Sequence, residues 1–427
     1  MKYISTNQQS DAIGFREALF KGLAPDKGLY LPKNFPQFDP EFFKTKMTYV
    51  ELASQMIHPF VSEYISFGKL KEICSKSFSF DLPLIKIKNN LHVLELFHGP
   101  TLAFKDFAAR FMARCMQYLL EKDITILVAT SGDTGGAVAN GFFGVDGIRV
   151  IILYPSKRVS QIQEKQLTTY GGNIFALEVE GNFDDCQKMV KEAFLDKSLR
   201  GKISLGSANS INIARLLPQS TYYAWAYNQI KTNIEVVFSI PSGNFGNLTG
   251  GIIAKRMGMI NTKFIASTNT NNVFSRYLNT GNFAPVTSKK TISNAMDVGK
   301  PSNFERLLKM YDGDINKIKT DLFSWSFSDN KTEIIIREIE NNCNYLVDPH
   351  TAIGILGMNK FKENINKNNM GIVLATAHPA KFQDIVEPII KKSVQLPDQL
   401  KKAMEKEKNS IVIPPNYSFL RDYLIQY

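Results

Sequence analysis

The sequence predicts an α/β protein with parallel sheets, and three observations support this. Short β-branched segments recur along the chain, amphipathic segments of helical period separate them, and glycine-rich or hydroxyl-rich turns follow several of them. The strands are almost continuously apolar, which indicates sheets covered on both faces. With 427 residues the chain exceeds what one hydrophobic core usually supports. We expect two open, twisted α/β domains, 86–230 and 231–427, behind a helical or mixed N-terminal extension, 1–85.

The elements follow from local patterns taken along the chain. The segment 22–32, GLAPDKGLYLP, predicts turns with a short strand, and a helix is expected over 49–58. From about residue 90 onward, strands and helices alternate. The predicted strands are 124–128, 150–153, 174–179, 234–240, 264–267 and 371–374. The predicted helices are 105–118, 160–169, 184–195, 209–230 and about 242–257.

Composition narrows the class of protein. The net charge is +11, but the basic residues are scattered, so a solvated surface or an anionic small substrate is favoured over nucleic acid. No apolar stretch approaches the roughly 18 residues of a membrane helix, and the N-terminus has no apolar core of a signal peptide, so a cytoplasmic protein is expected. The cysteines are widely separated, which argues against disulfides and a zinc site: Cys74, Cys115, Cys186 and Cys343.

A glycine-rich turn over 242–247, SGNFGN, lies between a predicted strand and a predicted helix. Glycines allow backbone N–H groups to converge on one point, and the helix N-terminus adds partial positive charge. Such a turn suits a phosphate monoester. An ordinary strand-to-helix turn uses the same residues, and the pattern is not the GxGxxG of a dinucleotide site.

A second turn, 130–136, has the sequence TSGDTGG and follows the strand 124–128. Open α/β sheets bind ligands at the carboxyl ends of their strands. Hydroxyls and amides at a helix start can bind a carboxylate, although capping residues gather there for structural reasons as well. Two such turns in one chain are more informative than either alone.

Lys105 follows a Gly99-Pro100 turn and lies among apolar neighbours at the start of a predicted helix. Such a lysine often extends its amine to the surface. If it is desolvated, its pKa falls and it becomes a nucleophile toward an aldehyde. The sequence pattern leaves both alternatives open.

Two further segments carry polar candidates. In 207–215, SANSINIAR, Ser210 and Arg215 are suited to a second phosphate, or simply to a capped helix with a surface arginine. In 375–382, ATAHPAKF, Thr376 follows a strand, where a hydroxyl can meet a ligand's ring nitrogen. His378 is interpreted as a packing or capping residue rather than a catalyst.

Together these motifs resemble the threonine synthases of the microbial and fungal subtype, within the fold type II pyridoxal phosphate enzymes related to the tryptophan synthase β-subunit. The resemblance includes PDKGLYLP at 25–32, SNAMDV at 293–298, DPHTA at 348–352 and AHPAKF at 377–382. It runs in order over most of the chain. Lys27 and Asn7 depart from the family pattern, and neither touches the cofactor motifs.

The resemblance implies a cofactor, pyridoxal 5'-phosphate, bound to Lys105 as a Schiff base. It implies that O-phospho-L-homoserine and water give L-threonine and phosphate. We expect no metal, no nucleic acid and no membrane as partners, and a monomer or small homo-oligomer. The implied contacts to the cofactor phosphate and its neighbouring groups are Gly243, Asn244, Phe245, Gly246 and Asn247, and Thr376 contacts the ring nitrogen. The implied contacts to the substrate are Ser131, Gly132, Asp133, Thr134 and Gly135 for its carboxylate, and Ser210 and Arg215 for its phosphate.

Alternatives remain within and outside this fold. An ammonia-lyase or phospho-lyase of the same fold would keep the lysine and the glycine-rich turn, but differ at the substrate phosphate. A non-catalytic anion-binding α/β protein would keep the turns without needing Lys105. A nicotinamide oxidoreductase is disfavoured because the GxGxxG pattern is absent.

Overall fold

The structure is a computed structural model that describes residues 1–230 and 232–426. Its N-terminal part contains a small antiparallel sheet and two long helices. The Thr48 side chain and Glu51 form a capping box that fixes the start of the first long helix. The elements here are β1 (Tyr3–Ser5), α1 (Phe15–Lys21), β2 (Tyr30–Pro32), α2 (Tyr49–Val61) and α3 (Phe67–Ser77).

Strands and helices then alternate, as the sequence predicts. This part contains β3 (Leu84–Lys88), β4 (Leu91–Glu95), α4 (Lys105–Leu119), β5 (Ile124–Ala129), α5 (Asp133–Phe142), β6 (Ile148–Pro155), α6 (Gln161–Thr168), β7 (Ile174–Val179), α7 (Phe183–Leu195), α8 (Lys197–Arg200), β8 (Leu205–Ser207) and α9 (Leu217–Gln229). The predicted strands 124–128, 150–153 and 174–179 correspond to β5, β6 and β7.

The second α/β part repeats the alternation. Its elements are β9 (Val236–Pro241), α10 (Gly246–Arg256), β10 (Thr262–Thr268), α11 (Val273–Thr280), α12 (Phe304–Met310), α13 (Ile315–Asp321), β11 (Leu322–Ser326), α14 (Asp329–Cys343), α15 (Pro349–Asn364), β12 (Met370–Ala375), α16 (Gln383–Ile390), α17 (Asp398–Glu405), β13 (Ile411–Ile413) and α18 (Tyr417–Gln426). Within the described residues, none of the helices is both long and apolar enough to cross a membrane.

Two larger sheets organise these elements. One has five parallel strands in the order β13-β7-β6-β5-β8. The other has six in the order β11-β10-β9-β12-β4-β3, parallel except for the β3–β4 hairpin. Every residue of the interior strands β5 and β9 is buried, which is why their sequences are apolar except at Thr125 and Ser239. The α/β class with parallel sheets is therefore confirmed.

One predicted helix is wrong at its start. The sequence predicts a helix over 209–230, whereas α9 begins at Leu217. Asn212 holds the segment before α9 in a non-helical conformation, because its side-chain amide donates to the carbonyls of Leu19 and Ser207. Pro218 lies in the first turn of α9, where a proline's missing N–H costs nothing. Residues 208–215 are thus a loop ending in a short 3-10 turn, and not a helix start.

The division into 1–85, 86–230 and 231–427 stays a prediction. β3 crosses the first predicted boundary, and β4 beyond it pairs with β12 of the six-stranded sheet. Lys231 and Tyr427, at the two ends of the predicted third unit, lie outside the described residues.

Candidate active site

The carboxyl ends of β5, β9 and β12 open on one cavity of about 1650 Å³. This is the edge at which open parallel sheets bind ligands. Twelve of the fourteen predicted site residues line the cavity, namely Lys105, Ser131, Asp133, Thr134, Ser210, Arg215, Gly243, Asn244, Phe245, Gly246, Asn247 and Thr376. Five segments far apart in sequence are therefore brought together as the sequence predicts.

Gly132 and Gly135 do not line the cavity. Their N–H groups donate to the Thr130 hydroxyl at 3.0 and 2.9 Å, so they support the turn from within. Gly132 has φ of 139°, a conformation that favours glycine, and a Cβ there would lie 2.5 Å from the Gln163 side chain. The hydroxyl-bearing Ser131 and Thr134 are left facing the cavity.

Lys105 is the first residue of α4, and its side chain is only 16% exposed. Its Nζ lies 3.7 Å from Asp133 Oδ2 and 5.2 Å from the centre of the Phe104 ring. Burial lowers the pKa of the Lys105 amine, Asp133 opposes this, and the positive charges of Lys381 and Arg215 lower the pKa further. A larger fraction of this amine is therefore neutral than of a solvated lysine.

Asp133 lies between two lysines. Its Oδ1 is 2.7 Å from Nζ of Lys381 and accepts a bond from Gln163 Nε2 at 3.0 Å. Burial alone would favour the neutral acid, but Lys381 and Lys105 together hold the pKa of Asp133 well below its usual range. Lys381 was part of a motif in the sequence, yet no role was predicted for it. Its only local signal is its place in the loop that follows β12 and Thr376.

The turn 242–247 connects β9 to α10, and the N–H of Ser242 at its start donates to the Ser267 carbonyl at 2.8 Å. Among the described residues, no acceptor bonds the N–H groups of Gly243, Asn244 or Phe245. Phe245 adopts the left-handed conformation, φ 59° and ψ 10°, immediately before α10. The free amides and the first N–H groups of α10 line the cavity and form a cradle for an anion.

Asn247 in the first turn of α10 is held by two tyrosines. Its Oδ1 accepts bonds from the hydroxyls of Tyr222 and Tyr223 at 2.5 and 2.7 Å. This fixes the amide so that Nδ2 is left buried and without a partner among the described residues. An orphaned donor in a cavity wall costs free energy unless a ligand accepts from it.

Thr376 and His378 follow β12 and differ in role. The carbonyl of Thr376 accepts the Phe104 N–H, which ties this loop to the start of α4, and its hydroxyl bonds to no described residue. His378 Nδ1 accepts the Ala380 N–H at 3.1 Å. Burial, with nearby His98, lowers the pKa of His378 to about 4. The interpretation of His378 as a capping residue is confirmed.

Arg215 is 3% exposed, and no carboxylate of a described residue pairs with it. One Nη donates to the Ala208 carbonyl at 2.5 Å, and its Nε is buried without a partner in the described part of the chain. Burial lowers the pKa of Arg215 to about 10, so the guanidinium stays charged at neutral pH. Ser210 accepts a bond from Asn303 Nδ2 at 3.2 Å, which leaves its own proton free to donate.

The sequence predicted no role for several other polar groups of the cavity, although Asn294 and His350 lie in the motifs 293–298 and 348–352. Gln219 Oε1 and Asn294 Oδ1 are buried there without partners among the residues that the structure describes, as are Arg215 Nε and Asn247 Nδ2. His350 Nε2 accepts the Ala295 N–H at 3.2 Å while Nδ1 bonds Asp348, so it supports the loop beside Gly243. Four orphaned polar atoms in residues that line one cavity indicate a polar ligand.

Three family descriptions match successive parts of the chain. Residues 2–78 match "Threonine synthase N terminus", residues 81–376 match "Pyridoxal-phosphate dependent enzyme", and residues 351–424 match "Threonine synthase, C-terminal". The chain is 41% identical to the threonine synthase of Buchnera aphidicola subsp. Acyrthosiphon pisum, with 100% of each chain covered.

Solved structures agree. The pyridoxal-phosphate-bound threonine synthase of Brucella melitensis superposes with a TM-score of 0.94 at 36% identity, covering 100% of this chain and 99% of that one. The Escherichia coli threonine synthase superposes with a TM-score of 0.93 at 37% identity, covering 100% of both. Both likenesses extend over the N-terminal extension as well as the two sheets.

Proposed function

Because the chain belongs to the threonine synthase family of pyridoxal-phosphate dependent enzymes, we propose that it converts O-phospho-L-homoserine and water into L-threonine and phosphate. The observation that carries the choice of substrate is the pairing of two anion sites in one cavity. One is the set of free amides at 243–245, and the other is the unpaired guanidinium of Arg215. A phosphorylated substrate on a phosphorylated cofactor needs two such sites.

The residues of the cavity fit pyridoxal phosphate. The free amides of Gly243, Asn244 and Phe245 suit its phosphate, and the Lys105 amine suits its aldehyde. Asn247 Nδ2 needs an acceptor, and the Thr376 hydroxyl is available to a ring nitrogen. When bound, pyridoxal phosphate supplies a conjugated ring that accepts electrons released at a substrate carbon.

Lys105 performs the proton transfers in this proposal. Its buried amine, with a lowered pKa, is neutral often enough to attach the cofactor and to take a proton from the substrate α-carbon. Loss of the γ-phosphate requires a second proton to leave the β-carbon, and water then adds there. A single amine in a low-dielectric wall is suited to hold and return these protons in turn.

The substrate's two anionic groups are assigned to different residues. Arg215 and the free proton of Ser210 receive the phosphate, since a guanidinium binds phosphate through two parallel bonds. The hydroxyls of Ser131 and Thr134 receive the carboxylate. The Asp133 carboxylate is paired with Lys381 and close to Lys105, so it serves those amines rather than the substrate carboxylate.

Lys105→Ala tests this proposal. The purified wild-type chain should carry the visible absorption band of lysine-bound pyridoxal phosphate, and borohydride should trap the cofactor on Lys105. Lys105→Ala should lose both, while the exposed Lys360→Ala keeps them. A wild type that stays colourless after reconstitution and traps no cofactor contradicts the proposal.

Product analysis separates this reaction from its relatives. Phosphate release from O-phospho-L-homoserine should equal threonine formed. Release accompanied by 2-oxobutanoate instead would identify a phospho-lyase of the same fold. Loss of ammonia from threonine or serine, without any action on the phosphorylated substrate, would identify an ammonia-lyase.

We also propose a cytoplasmic location and a monomer or small homo-oligomer. Three of the four cysteines are buried free thiols, which suits a reducing compartment. Fractionation of cells and light scattering of the purified chain test these two points.

A further inference from the structure

Lys381 is a lysine whose side chain is completely buried. It lies in the 3-10 turn Pro379–Phe382 after β12, and its Nζ donates to the Thr101 carbonyl at 2.9 Å as well as pairing with Asp133 at 2.7 Å. Removing an ammonium from water costs several kcal/mol unless it is paired and hydrogen-bonded. Its position is therefore defined by these two contacts.

The Asp133 carboxylate is shared between two amines. Oδ1 contacts Lys381 and Oδ2 faces Lys105. Among the described residues, the charged groups that shift the pKa of Lys105 are one anion, Asp133, and two cations, Lys381 and Arg215. The two cations do not share a role, because Arg215 has no carboxylate partner among the described residues, whereas Lys381 binds the same carboxylate that faces Lys105.

The contacts of Lys381 also return to the start of α4. The N–H and hydroxyl of Thr101 both donate to Asp106, at 2.8 and 2.6 Å, and Asp106 follows Lys105 in the first turn of that helix. The Thr101 carbonyl accepts from Gln166 Nε2 as well as Lys381. Lys381 therefore contacts both Asp133, which faces the Lys105 amine, and Thr101, which is hydrogen-bonded to the first turn of α4.

We propose that Lys381 is a positioning residue, which fixes the Asp133 carboxylate beside Lys105 and limits how strongly that carboxylate keeps a proton on the Lys105 nitrogen. The inference rests on the proposed function, because proton transfer by Lys105 requires a nitrogen that releases its proton readily. Asp133 alone would stabilise the charged form of that nitrogen, and Lys381 offsets part of this attraction.

The proposal predicts shifts of opposite sign. In Lys381→Met the Asp133 charge acts on Lys105 without the offset, so the pKa of the Lys105 nitrogen rises by about one unit. In Asp133→Asn the anion is gone and two cations remain, so the pKa falls by about one unit. A residue that only supported packing would not give opposite shifts with the two substitutions.

Two measurements report the protonation of Lys105. In the loaded enzyme, the visible band of the lysine-bound cofactor changes with the protonation of the linking nitrogen, and its pH midpoint is read by absorbance. In the full chain stripped of cofactor, the pH dependence of Lys105 acetylation by acetic anhydride is read by mass spectrometry. The surface variant Lys392→Met, which breaks only the exposed pair with Glu340, should leave both midpoints unchanged.

A third variant covers the case in which Lys381→Met does not fold. Lys381→Met combined with Asp133→Asn leaves neither group of the pair charged, so the folding penalty is smaller. Its midpoint should lie above that of Asp133→Asn alone, because one cation has been removed. Equal midpoints in these two variants, or shifts of the same sign in the two single variants, overturn the proposal. Cofactor trapped on a lysine other than Lys105 would instead overturn the proposed function.

Discussion

Two buried arginines near the cavity are bonded in opposite ways. Arg306 in α12 is fully buried and donates to the carbonyls of Tyr30, Ser210 and Ile211 and to Asn303 Oδ1. Arg215 is also buried, yet it makes one hydrogen bond and leaves Nε unpaired. Neither has a carboxylate partner among the described residues. Both carry a charge in a protein wall, but only one has its donors satisfied by the fold.

The difference separates a structural cation from one prepared for a ligand. Arg306 connects the N-terminal extension, through Tyr30, to the loop that carries Ser210. Its burial lowers its pKa to about 9, and four acceptors compensate for the loss of water. Arg215 has no such compensation, so the unliganded protein bears a cost that a bound phosphate removes. We assign Arg215 to the substrate phosphate because a bound phosphate would satisfy the guanidinium donors that the fold leaves unpaired.

The largest expected effect is on catalysis when Arg215 is replaced. Arg215→Met should lower kcat/KM for O-phospho-L-homoserine roughly a thousandfold, which corresponds to about 4 kcal/mol of lost transition-state stabilisation. The reason is that a desolvated phosphate loses its charged partner. Thermal unfolding without substrate should show no loss of stability, since the substitution removes an uncompensated charge. Steady-state kinetics and calorimetry check the two halves. A variant that is clearly destabilised but still active would make Arg215 structural.

The next effect is on stability when Arg306 is replaced. Arg306→Met should destabilise the protein by about 3 kcal/mol, since it leaves buried carbonyls without donors. Denaturant unfolding measures this directly. If Arg306→Met unfolds at the same denaturant concentration as wild type while Arg215→Met unfolds earlier, the comparison between the two arginines is reversed.

A smaller effect is expected at Asn303, which lies between the two anion sites. Its Nδ2 donates to both Ser210 Oγ, at 3.2 Å, and the Asn244 carbonyl, at 3.0 Å. Gly246 permits this close approach, since a Cβ there would lie 3.3 Å from Ser210 Cβ. Asn303→Ala should weaken the binding of both cofactor and phosphorylated substrate by about 1–2 kcal/mol each.

The neighbouring Ser302 provides the matched control for Asn303. Its hydroxyl donates at 3.3 Å to Asn244 Oδ1, on the cofactor side alone. Ser302→Ala should therefore change cofactor dissociation slightly and leave the KM for substrate unchanged. Equal effects of Asn303→Ala and Ser302→Ala on KM would show that Asn303 does not connect the two sites.

The sequence predicts part of the fold and of the candidate site, but not the contacts of Arg215, Arg306 and Asn303. The parallel-sheet class, the strands and the start of α4 at Lys105 follow from local periodicity and turns. So does the convergence of the turns 130–136 and 242–247, because carboxyl ends of parallel strands meet at one edge. The resemblance to a known family then supplied the chemistry.

What local patterns missed depends on distant contacts. The sequence predicts a helix from residue 209, but the Asn212 side chain donates to the Leu19 carbonyl of the N-terminal extension, and residues 208–215 form a loop instead. Arginine and lysine are usually exposed, so the burial of Arg215, Arg306 and Lys381 has no local signal. Two of them are held by residues far away in the chain, since Arg306 donates to the Tyr30 carbonyl and Lys381 donates to the Thr101 carbonyl.

The smallest expected effect concerns exposed cations, which also differ in whether they are ion-paired. Six exposed basic residues at the mouth of the cavity have no ion-pair partner among the described residues: Lys27, Lys157, Arg158, Lys191, Lys290 and Lys300. Only two exposed acids of the described cavity lining, Asp184 and Glu305, lie with them. Lysines elsewhere on the surface, such as Lys44 and Lys76, are ion-paired. A cluster of unpaired cations attracts an anionic substrate over a range set by salt.

Replacing Lys157, Arg158 and Lys191 together by Gln should therefore lower kcat/KM about three- to tenfold at low ionic strength, with kcat unchanged. The difference from wild type should disappear as salt shortens the Debye length to about 3 Å near 1 M. Gln substitutions at Lys44, Lys76 and Lys360 remove the same three charges from ion pairs away from the cavity lining, and should have little effect. Equal losses in the two triple variants would mean that net charge, and not the unpaired cations at the mouth, attracts the substrate. In that case the contrast between an unpaired cation and a hydrogen-bonded one would hold only for buried residues such as Arg215 and Arg306. At the surface, water would compensate an unpaired charge, and that charge would not favour binding of an anion.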